Sequence, residues 1–412
     1  MFNRKMFDLS NVIVGLEIGT SKVCAVVGEM NAEGELNIVG LGQARSRGVR
    51  KGEICDAPVA EEDVRNAIVE AEHMADVEIR SVYLGVTGAH VRGCSNRGVH
   101  QIVSADREIS EEDVQDVVKN AKAINRSAEH HVIHAVRQHF LVDGQDGIPN
   151  PVGMLGSRVE VDMHVIQGNF NRLQNSVRAV KGLQLEVDEI VFTGLASSLA
   201  LLTNEQKELG ALVIDIGGGT TEYVVYSKGV IKHIGVLAVG GDHVSNDLAY
   251  GLKVPLGRAE QLKCEHGCAL ASRAAAGPDV TIPNEFGLPQ RLVSVENLRR
   301  IMALRLKKIF QLIAQDLDQA GVLDYLRAGI FLCGGGARIP QIAQLAERVL
   351  QMPASIGQTN SISGLKSAQD HPEFAAAIGL VKVGSQQQRK RTGRKSLAGD
   401  IGNTIKQMLG RG

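Results

Sequence analysis

Hydrophobic and polar positions follow one layout in two separate stretches of the chain. Residues 11–41 contain the β-branched runs VIVGLE and KVCAVVGE, which are separated by a glycine turn and followed by a polar turn. Residues 210–238 repeat the order of strand, glycine turn, strand, polar turn and strand, and Asp215 falls where Glu17 fell. This repetition predicts two related halves, each with a meander of three strands.

Helical stripes follow both meanders. Apolar positions recur at helical spacing over residues 59–75 and 294–320, and Ser294 is the predicted N-cap of the second helix. Alternation of sheet and helix predicts an α/β protein with two lobes. Residues 85–165 carry their own strands (VHQIVS, HVIHAVRQHFLV, SRVEVDMHVI) and a helix after Ser110, which predicts a subdomain inserted in the first lobe.

The last residues of the chain change from a charged to an amphipathic pattern. Residues 384–395 have no apolar periodicity and many basic side chains, which predicts a solvated linker. Residues 396–412 place apolar side chains at helical spacing, which predicts an amphipathic helix that binds an anionic phospholipid membrane. The predicted membrane-binding residues are Leu397, Ile401, Ile405, Met408, Leu409, Lys395, Lys406 and Arg411. A helix that packs on another protein and a basic tail that contacts nucleic acid are the alternatives.

Composition narrows the class of protein. Forty-five basic and 46 acidic residues leave a net charge of -1, and only 3% of the residues are aromatic, so no nucleic-acid partner is expected. The six cysteines are scattered and the first residues lack the features of a secretory signal, which predicts a reducing cytosol. No apolar run approaches the roughly 20 residues that cross a bilayer, so membrane contact is predicted to be peripheral.

Glycine-rich turns provide the candidate chemistry. The turn in each meander can direct backbone N–H groups and hydroxyls at a phosphate, and the later glycine pairs and triplets stand at the start of predicted helices. Asp215 precedes the second turn and can hold a hydrated Mg²⁺ through water. Each glycine cluster alone could be only a tight turn. The candidate phosphate-binding residues are Gly19, Thr20, Ser21, Lys22, Asp215, Gly217, Gly218, Gly219, Thr220, Gly240, Gly241, Gly334, Gly335 and Gly336.

Taken together, five motifs resemble a known superfamily. LEIGTSK, VIDIGGGTTE, VGGDHVSNDLA, AEQLKCEHG and FLCGGGARIP are similar, in order and spacing, to the nucleotide motifs of actin, sugar kinases and heat-shock chaperones. The resemblance implies an actin-like ATPase fold, with ATP and Mg²⁺ in a cleft between two lobes. It also implies that Glu260 and Lys263 touch the ribose or adenine and that Arg338 flanks the base. The superfamily usually has Asp where Glu17 stands, so the metal shell there can differ.

Residues 132–166 carry the most discriminating resemblance. VIHAVRQHFLVDGQDGIPNPVGMLGSRVEVDMHVI is similar to the inserted subdomain of the FtsA family, the actin-like proteins of bacterial cell division. The resemblance implies an ATP-binding scaffold that forms filaments with itself and anchors the FtsZ ring at the cytoplasmic face of the inner membrane. It also implies recruitment of later division proteins and a surface for the FtsZ C-terminal tail peptide, for which Arg291, Arg299 and Arg300 are candidates.

The resemblance also implies domain boundaries. The first lobe would comprise residues 1–84, 166–195 and 366–383, with the inserted subdomain over 85–165. The second lobe would comprise residues 196–240 and 310–365, with an outer subdomain over 241–309. The basic linker and the amphipathic helix would complete the chain.

An enzyme of the same superfamily is the main alternative to a scaffold. An ATP-dependent small-molecule kinase or phosphatase would share the fold, because fold alone does not fix function. A protein related to actin-like pilus-assembly factors is a further alternative. If ATP is hydrolysed, the reaction is expected to be slow and to act as a switch on filament state, with Asp215 and Glu222 as candidate catalytic residues.

Overall fold

A computed structural model gives the fold over residues 12–31, 34–122, 129–271, 279–282, 290–360, 363–365 and 371–389. The strands of this part of the chain are β1 (Val12–Ile18), β2 (Lys22–Met30), β3 (Leu36–Arg45), β4 (Val49–Arg50), β5 (Glu53–Ile54), β6 (Ser81–Val86), β7 (Arg92–Gln101), β8 (His130–Val142), β9 (Gln145–Ile148), β10 (Arg158–Asn169), β11 (Glu186–Phe192), β12 (Ala211–Ile216), β13 (Thr221–Ser227), β14 (Val230–Leu237), β15 (Val280–Ile282), β16 (Arg291–Val293), β17 (Gly329–Cys333), β18 (Ala354–Ile356) and β19 (Ser363–Gly364). The helices are α1 (Ala57–Ala75), α2 (Glu111–Lys122), α3 (Phe170–Lys181), α4 (Thr193–Leu201), α5 (Asn204–Leu209), α6 (Gly241–Leu252), α7 (Leu256–His266), α8 (Val295–Gln319), α9 (Ile342–Leu350) and α10 (375–389).

Two sheets with the same topology form the centres of the two lobes. The first has the order β11-β6-β1-β2-β3-β19, and the second has the order β14-β13-β12-β17-β18. In each, a three-stranded antiparallel meander is extended by two strands that run parallel to its first strand. Glu17 and Asp215 occupy equivalent positions near the ends of β1 and β12. The predicted pair of related halves is therefore confirmed.

Both predicted long helices are present. Helix α1 covers the predicted stripe and begins after Asp56, whose side chain accepts a hydrogen bond from the backbone N–H of Val59. Helix α8 begins after Ser294, whose hydroxyl accepts from the backbone N–H of Asn297. The predicted N-cap therefore satisfies one of the donors that every helix start leaves free.

A separate sheet lies between the two halves in sequence, with the order β7-β10-β8-β9. Helix α2 covers it and buries Val117 and Ala121. Helix α2 begins after Ser110, whose hydroxyl accepts a 3.2 Å hydrogen bond from the N–H of Asp113. Strand β7 begins at Arg92, seven residues before the predicted run VHQIVS. The first half of the strand is polar, and it is part of the sheet because every residue from Arg92 to Gln101 pairs with β10.

The core between the two central sheets is shared. One cluster of buried side chains includes Val26 of β2 and Val213 of β12, together with Ala196 of α4 and Ala377 of α10. Helices α4 and α10 therefore lie where the lobes meet. Helix α10 continues to residue 389, so the first residues of the predicted linker over 384–395 are helical. The remaining linker and the predicted amphipathic helix over 396–412 lie outside the described residues.

Candidate nucleotide site

A cavity of about 520 Å³ lies between the two lobes. It is lined by both glycine turns of the meanders, by the start of α6, by α7 and by the glycine triplet after β17. A cavity of this size between lobes is typical of a small-molecule or cofactor site. The residues predicted from the sequence that line it are Glu17, Gly19, Thr20, Ser21, Lys22, Asp215, Gly217, Gly218, Thr220, Glu222, Gly241, Glu260, Lys263, Gly334, Gly335, Gly336 and Arg338.

The two meander turns have the same internal hydrogen bond and touch each other. In the first, the N–H of Gly19 donates to the carbonyl of Lys22 at 3.0 Å, and in the second the N–H of Gly217 donates to the carbonyl of Thr220 at 2.9 Å. A Cβ atom added to Gly219 would lie 2.5 Å from the hydroxyl oxygen of Thr20. The two turns therefore pack against each other at the bottom of the cleft, and only glycine fits at this contact.

Two predicted glycines stand behind the cavity wall instead of in it. Gly219 packs on the opposite turn, and Gly240 lies under the second turn, where an added Cβ would come 2.4 Å from the carbonyl oxygen of Gly217. The N–H of Gly241 donates to that same carbonyl at 2.9 Å, and the N–H of Asp242 donates to Gly218 at 2.8 Å. The start of α6 is therefore held against the turn that would contact phosphate.

Glu17 and Asp215 place two carboxylates at the cavity. Lys22 Nζ lies 3.2 Å from Glu17 Oε2, and although burial opposes its charge, the carboxylate of Glu17 raises the pKa of Lys22 above its ordinary value. Burial and the charge of Glu17 raise the pKa of Asp215 to about 6. Hard cations are bound by such oxygen ligands, so Asp215 and Glu17 fit the water shell of a hydrated Mg²⁺, whose charge would favour the ionised form of Asp215.

Glu222 is the most enclosed acid of the site. Its Oε1 accepts a hydrogen bond of 2.5 Å from Thr87 Oγ1, and its Oε2 accepts one of 2.5 Å from Thr193 Oγ1. Thr220 Oγ1 lies 3.4 Å from Oε1. Burial and the nearby charge of Asp215 raise the pKa of Glu222 to about 8. A carboxyl group with this environment can hold or accept a proton near neutral pH.

The opposite end of the cavity is lined by α7 and by the glycine triplet. Lys263 Nζ contacts Glu260 Oε2 at 2.7 Å and the carbonyl of Gly241 at 3.3 Å. Arg338 Nη1 contacts Glu373 Oε1 at 2.7 Å across the cavity rim. This end of the cavity therefore offers a nucleoside charged groups of both signs, glycine backbone and short apolar side chains.

The sequence analysis did not identify several lining residues. Thr87 and Thr193 directly follow β6 and β11, two parallel strands whose carboxyl ends point at the cavity. That position is a general signal for ligand contact in α/β sheets and could have identified both threonines. Five of the others lie within the quoted motifs but were not singled out, and Gln43 and Glu373 are single residues outside them. The lining residues that were missed are Ile18, Gln43, Thr87, Thr193, Asp242, Cys264, Ile339, Pro340 and Glu373.

The predicted basic surface around α8 is only partly free. Arg299 Nε donates to the carbonyl of His266 at 3.0 Å, whereas the neighbouring Arg300 is exposed. Arg291 lies on β16. Within the described ranges there is no helix long and apolar enough to cross a membrane, and no cluster of three or more metal-ligating side chains.

Comparison with protein families gives two matches. The family model described as "Cell division protein FtsA" matches residues 212–379. The family model described as "SHS2 domain inserted in FTSA" matches residues 88–167, which contain the separate sheet between the two halves.

Several curated relatives are similar over most of their length. The cell division protein FtsA of Escherichia coli strain K12 is 37% identical over 406 residues, which cover 96% of this chain and 96% of the relative. The FtsA of Borreliella burgdorferi is 40% identical over 380 residues, which cover 92% of each chain. The FtsA of Pseudomonas aeruginosa is 37% identical over 92% of this chain and 90% of the relative.

Solved structures share the fold at low sequence identity. A chain of the PilM-PilN type IV pilus biogenesis complex superposes with a TM-score of 0.64 and 17% identity, and covers 90% of this chain and 98% of its own. MreB5 of Spiroplasma citri bound to ADP gives a TM-score of 0.56 and 16% identity, with coverages of 93% and 98%. Both have the actin-like ATPase fold, which confirms the predicted fold class.

Proposed function

The chain belongs to the FtsA family of actin-like cell-division proteins, and from this premise we propose that it is an ATP-binding scaffold. In this proposal it forms filaments and attaches the FtsZ ring to the cytoplasmic face of the inner membrane at the division site. It would also recruit later division proteins. The proposal of ATP binding is supported by one observation. Both glycine turns, Lys22, Asp215 and Glu222 line the same cavity.

The residues of the cavity suggest a division of roles. The turns at Gly19 and Gly217 would donate backbone N–H groups to phosphate oxygens, and Lys22 would add a positive charge. Asp215 and Glu17 would hold Mg²⁺ through its water shell, and the ion would neutralise phosphate charge. Glu260, Lys263 and Arg338 would contact the nucleoside. Glycine on the inner side of these turns allows the close approach that a phosphate needs.

Any hydrolysis of ATP would use the buried acids. Glu222 can accept a proton from an attacking water, because its raised pKa brings its proton affinity near neutral pH. Asp215 would orient that water through the hydration shell of the metal. We expect the reaction to be slow and to change the stability of filaments, because a scaffold needs a switch more than a fast turnover.

Attachment to the membrane would be made by the tail over residues 396–412. A single amphipathic segment binds a membrane weakly, and its glycines lower its helicity before it reaches the lipid. Many tails on one filament would bind together much more strongly. Filament formation and membrane residence would therefore reinforce each other.

Electron microscopy on anionic lipid monolayers tests the scaffold. We expect filaments with ATP and Mg²⁺, and none without nucleotide. A variant truncated after residue 395 should bind ATP with unchanged affinity and lose co-sedimentation with vesicles. Calorimetry that detects no ATP binding to the purified full chain would contradict the proposal at its first step.

The surface for the FtsZ tail peptide is tested by charge reversal. Arg300 is exposed and would contact an acidic peptide, whereas Arg299 also supports α7 through the carbonyl of His266. We expect Arg300→Glu to weaken binding of the peptide more than tenfold with no effect on thermal stability. Lys119→Glu, a charge reversal at an exposed lysine of α2, is the control for a general effect of charge, and equal weakening in both would remove Arg300 from the site.

A small-molecule kinase or phosphatase is the second candidate function, because the same fold hosts such enzymes. Rapid phosphorylation of a sugar, with no filaments on lipid, would favour it. Filaments without such activity would favour the scaffold.

A further inference from the structure

One short helix contacts both buried acids of the candidate site. The hydroxyl of Thr193, the first residue of α4, donates to Glu222 Oε2 at 2.5 Å. The hydroxyl of Ser197 donates to Asp215 Oδ2 at 2.6 Å. Because the two side chains are one helical turn apart, they lie on the same face of α4. Both are buried, so α4 cannot shift along its axis without changing the surroundings of both carboxylates.

The other end of α4 is held by the last described helix of the chain. Lys382 Nζ, on α10, donates to the carbonyls of Leu199 and Ala200 at 3.2 and 3.3 Å. It also donates to Asn360 Oδ1 at 2.9 Å, and Asn360 Nδ2 donates to the carbonyl of Leu201 at 2.6 Å. An ammonium at this position complements the negative end of the helix dipole and satisfies carbonyls that have no partner within the helix.

Lys382 is an unusual residue for a simple helix cap. Its side chain is only 8% exposed, and the three acceptors recorded for its ammonium are neutral oxygens. Burial, together with the charge of Lys207, lowers the pKa of Lys382 to about 8. Among the described residues this buried ammonium has no carboxylate partner, which costs stability, so an apolar side chain would stabilise the position more if packing were its only role.

Helices α4 and α10 also touch between these two ends. A Cβ atom added to Gly379 of α10 would lie 1.9 Å from the carbonyl oxygen of Ala196, so the two backbones are in direct contact. The residues that precede α10 reach the cavity themselves. The N–H of Gly334 donates to the carbonyl of Pro372 at 2.9 Å, and Glu373 pairs with Arg338. The segment 371–389 therefore has one end at the candidate site and the other end at residue 389, from which residues 390–395 lead in sequence to the predicted tail over 396–412.

We propose that Lys382 is a positioning residue of the nucleotide site, which acts through α4 and ties the two buried acids to the helix that leads to the tail. The inference rests on the proposed function, because it gives ATP and the membrane a shared structural element. A change in the hydrogen bonds of Asp215 or Glu222 would move α4, and Lys382 would transmit that movement to α10. By thermodynamic linkage, binding of vesicles must then change the affinity for ATP by the same factor.

The test measures that factor in the full chain with and without Lys382, at protein concentrations below filament assembly, so that avidity between tails does not contribute. Affinity for vesicles of phosphatidylethanolamine and phosphatidylglycerol is measured with and without ATP and Mg²⁺, and affinity for ATP is measured with and without the vesicles. In the native protein each ligand should improve binding of the other by about fivefold or more, as is typical of coupled sites. In Lys382→Gln the factor should fall to less than about twofold, with the affinity for vesicles alone unchanged.

Two further variants keep the test decisive. Lys207→Gln removes a nearby positive charge that faces the ring of Tyr226, and it should retain the native coupling factor. Ser197→Ala breaks the same route in the middle of α4, where the helix contacts Asp215, and it should lose the coupling even if Lys382→Gln does not fold. Coupling retained in folded Lys382→Gln or in folded Ser197→Ala, or a native factor of one, overturns the inference. If the native protein binds neither ATP nor vesicles, the proposed function fails as well.

Discussion

Thr87 donates a hydrogen bond of 2.5 Å to Glu222 across the boundary between the two central sheets. Thr87 follows β6 of the first sheet, and Glu222 lies on β13 of the second. Both side chains are buried beside the cavity. A hydrogen bond to a buried acid is directional, so it links the two lobes at this point.

The first prediction concerns this contact. Replacement of Thr87 by Val keeps the shape of the side chain and removes the donor to Glu222 Oε1, which then retains only Thr220 at 3.4 Å. We expect a loss of about 1–3 kcal/mol in the free energy of unfolding, because a buried acceptor loses its partner. Urea denaturation measures the effect. The double variant with Glu222→Gln should lose less than the sum of the two single variants, and strict additivity would mean that the hydrogen bond contributes nothing.

The second prediction concerns the metal. Replacement of Asp215 by Asn removes the charge that would hold Mg²⁺ through water, and leaves an oxygen that Ser197 can still contact. We expect the contribution of Mg²⁺ to ATP affinity to fall by at least about tenfold, or about 1.4 kcal/mol. Calorimetry with ATP in the presence of Mg²⁺ or of a chelator measures it. Affinity in the chelator should remain within about threefold of the native value. An unchanged effect of Mg²⁺ would assign the metal to other residues.

Much of the fold was predictable because it follows local patterns. The meanders, the Ser294 cap and the glycine turns are each encoded by neighbouring residues, and the structure contains all of them. The parts of the fold that could not be predicted depend on tertiary contacts. Residues from 384 were predicted to be a linker from their polar composition, yet Gly384 packs so closely that an added Cβ would lie 2.4 Å from Ile13. Packing on the first sheet therefore extends α10 beyond the apolar pattern.

The candidate site shows the same difference between local sequence patterns and tertiary contacts. Its glycine turns form sequence motifs and were predicted, whereas Thr87 and Thr193 are single hydroxyl residues at strand ends and were missed. They acquire a role only when the two sheets bring them to Glu222. Sequence spacing carries no record of a contact between residues 29 or 135 positions apart.

The third prediction concerns how the free energy of unfolding falls at acid pH. His134 is half-buried, its Nε2 accepts a hydrogen bond of 3.1 Å from the N–H of Phe192, and loss of solvent around the ring lowers its pKa from 6.5 to about 4. Because the folded pKa is below the unfolded one, the stabilisation is complete above pH 6.5 and is lost as the pH falls towards 4.

Replacement of His134 by Gln keeps an acceptor and removes the titration. The slope of the unfolding free energy between pH 6.5 and 4 should therefore decrease by up to about 1.4 kcal/mol per pH unit. Burial also lowers the pKa of His164 to about 4, so part of the slope should remain in the variant. Urea denaturation at a series of pH values measures the slope. If the native protein and His134→Gln had identical slopes of unfolding free energy against pH, His134 would not be neutral in the folded protein.

The last prediction uses two glycines in helices with opposite surroundings. Gly379 of α10 is buried, and an added Cβ would lie 1.9 Å from the carbonyl oxygen of Ala196. Gly257 of α7 is exposed, and an added Cβ would have no neighbour within 4 Å. Neither requires a left-handed backbone conformation. Replacement by Ala should therefore change the free energy of unfolding in opposite directions at the two positions. Crowding dominates at Gly379, and helix propensity dominates at Gly257.

We expect Gly379→Ala to destabilise the protein by about 1–3 kcal/mol, because α4 and α10 must separate to admit the methyl group. We expect Gly257→Ala to be neutral or to stabilise by up to about 1 kcal/mol, because alanine loses less backbone entropy in a helix. Urea denaturation under one set of conditions measures both. Equal stability of the two variants would mean that α4 and α10 have room to separate, and the rigid contact on which the coupling through Lys382 depends would then be absent.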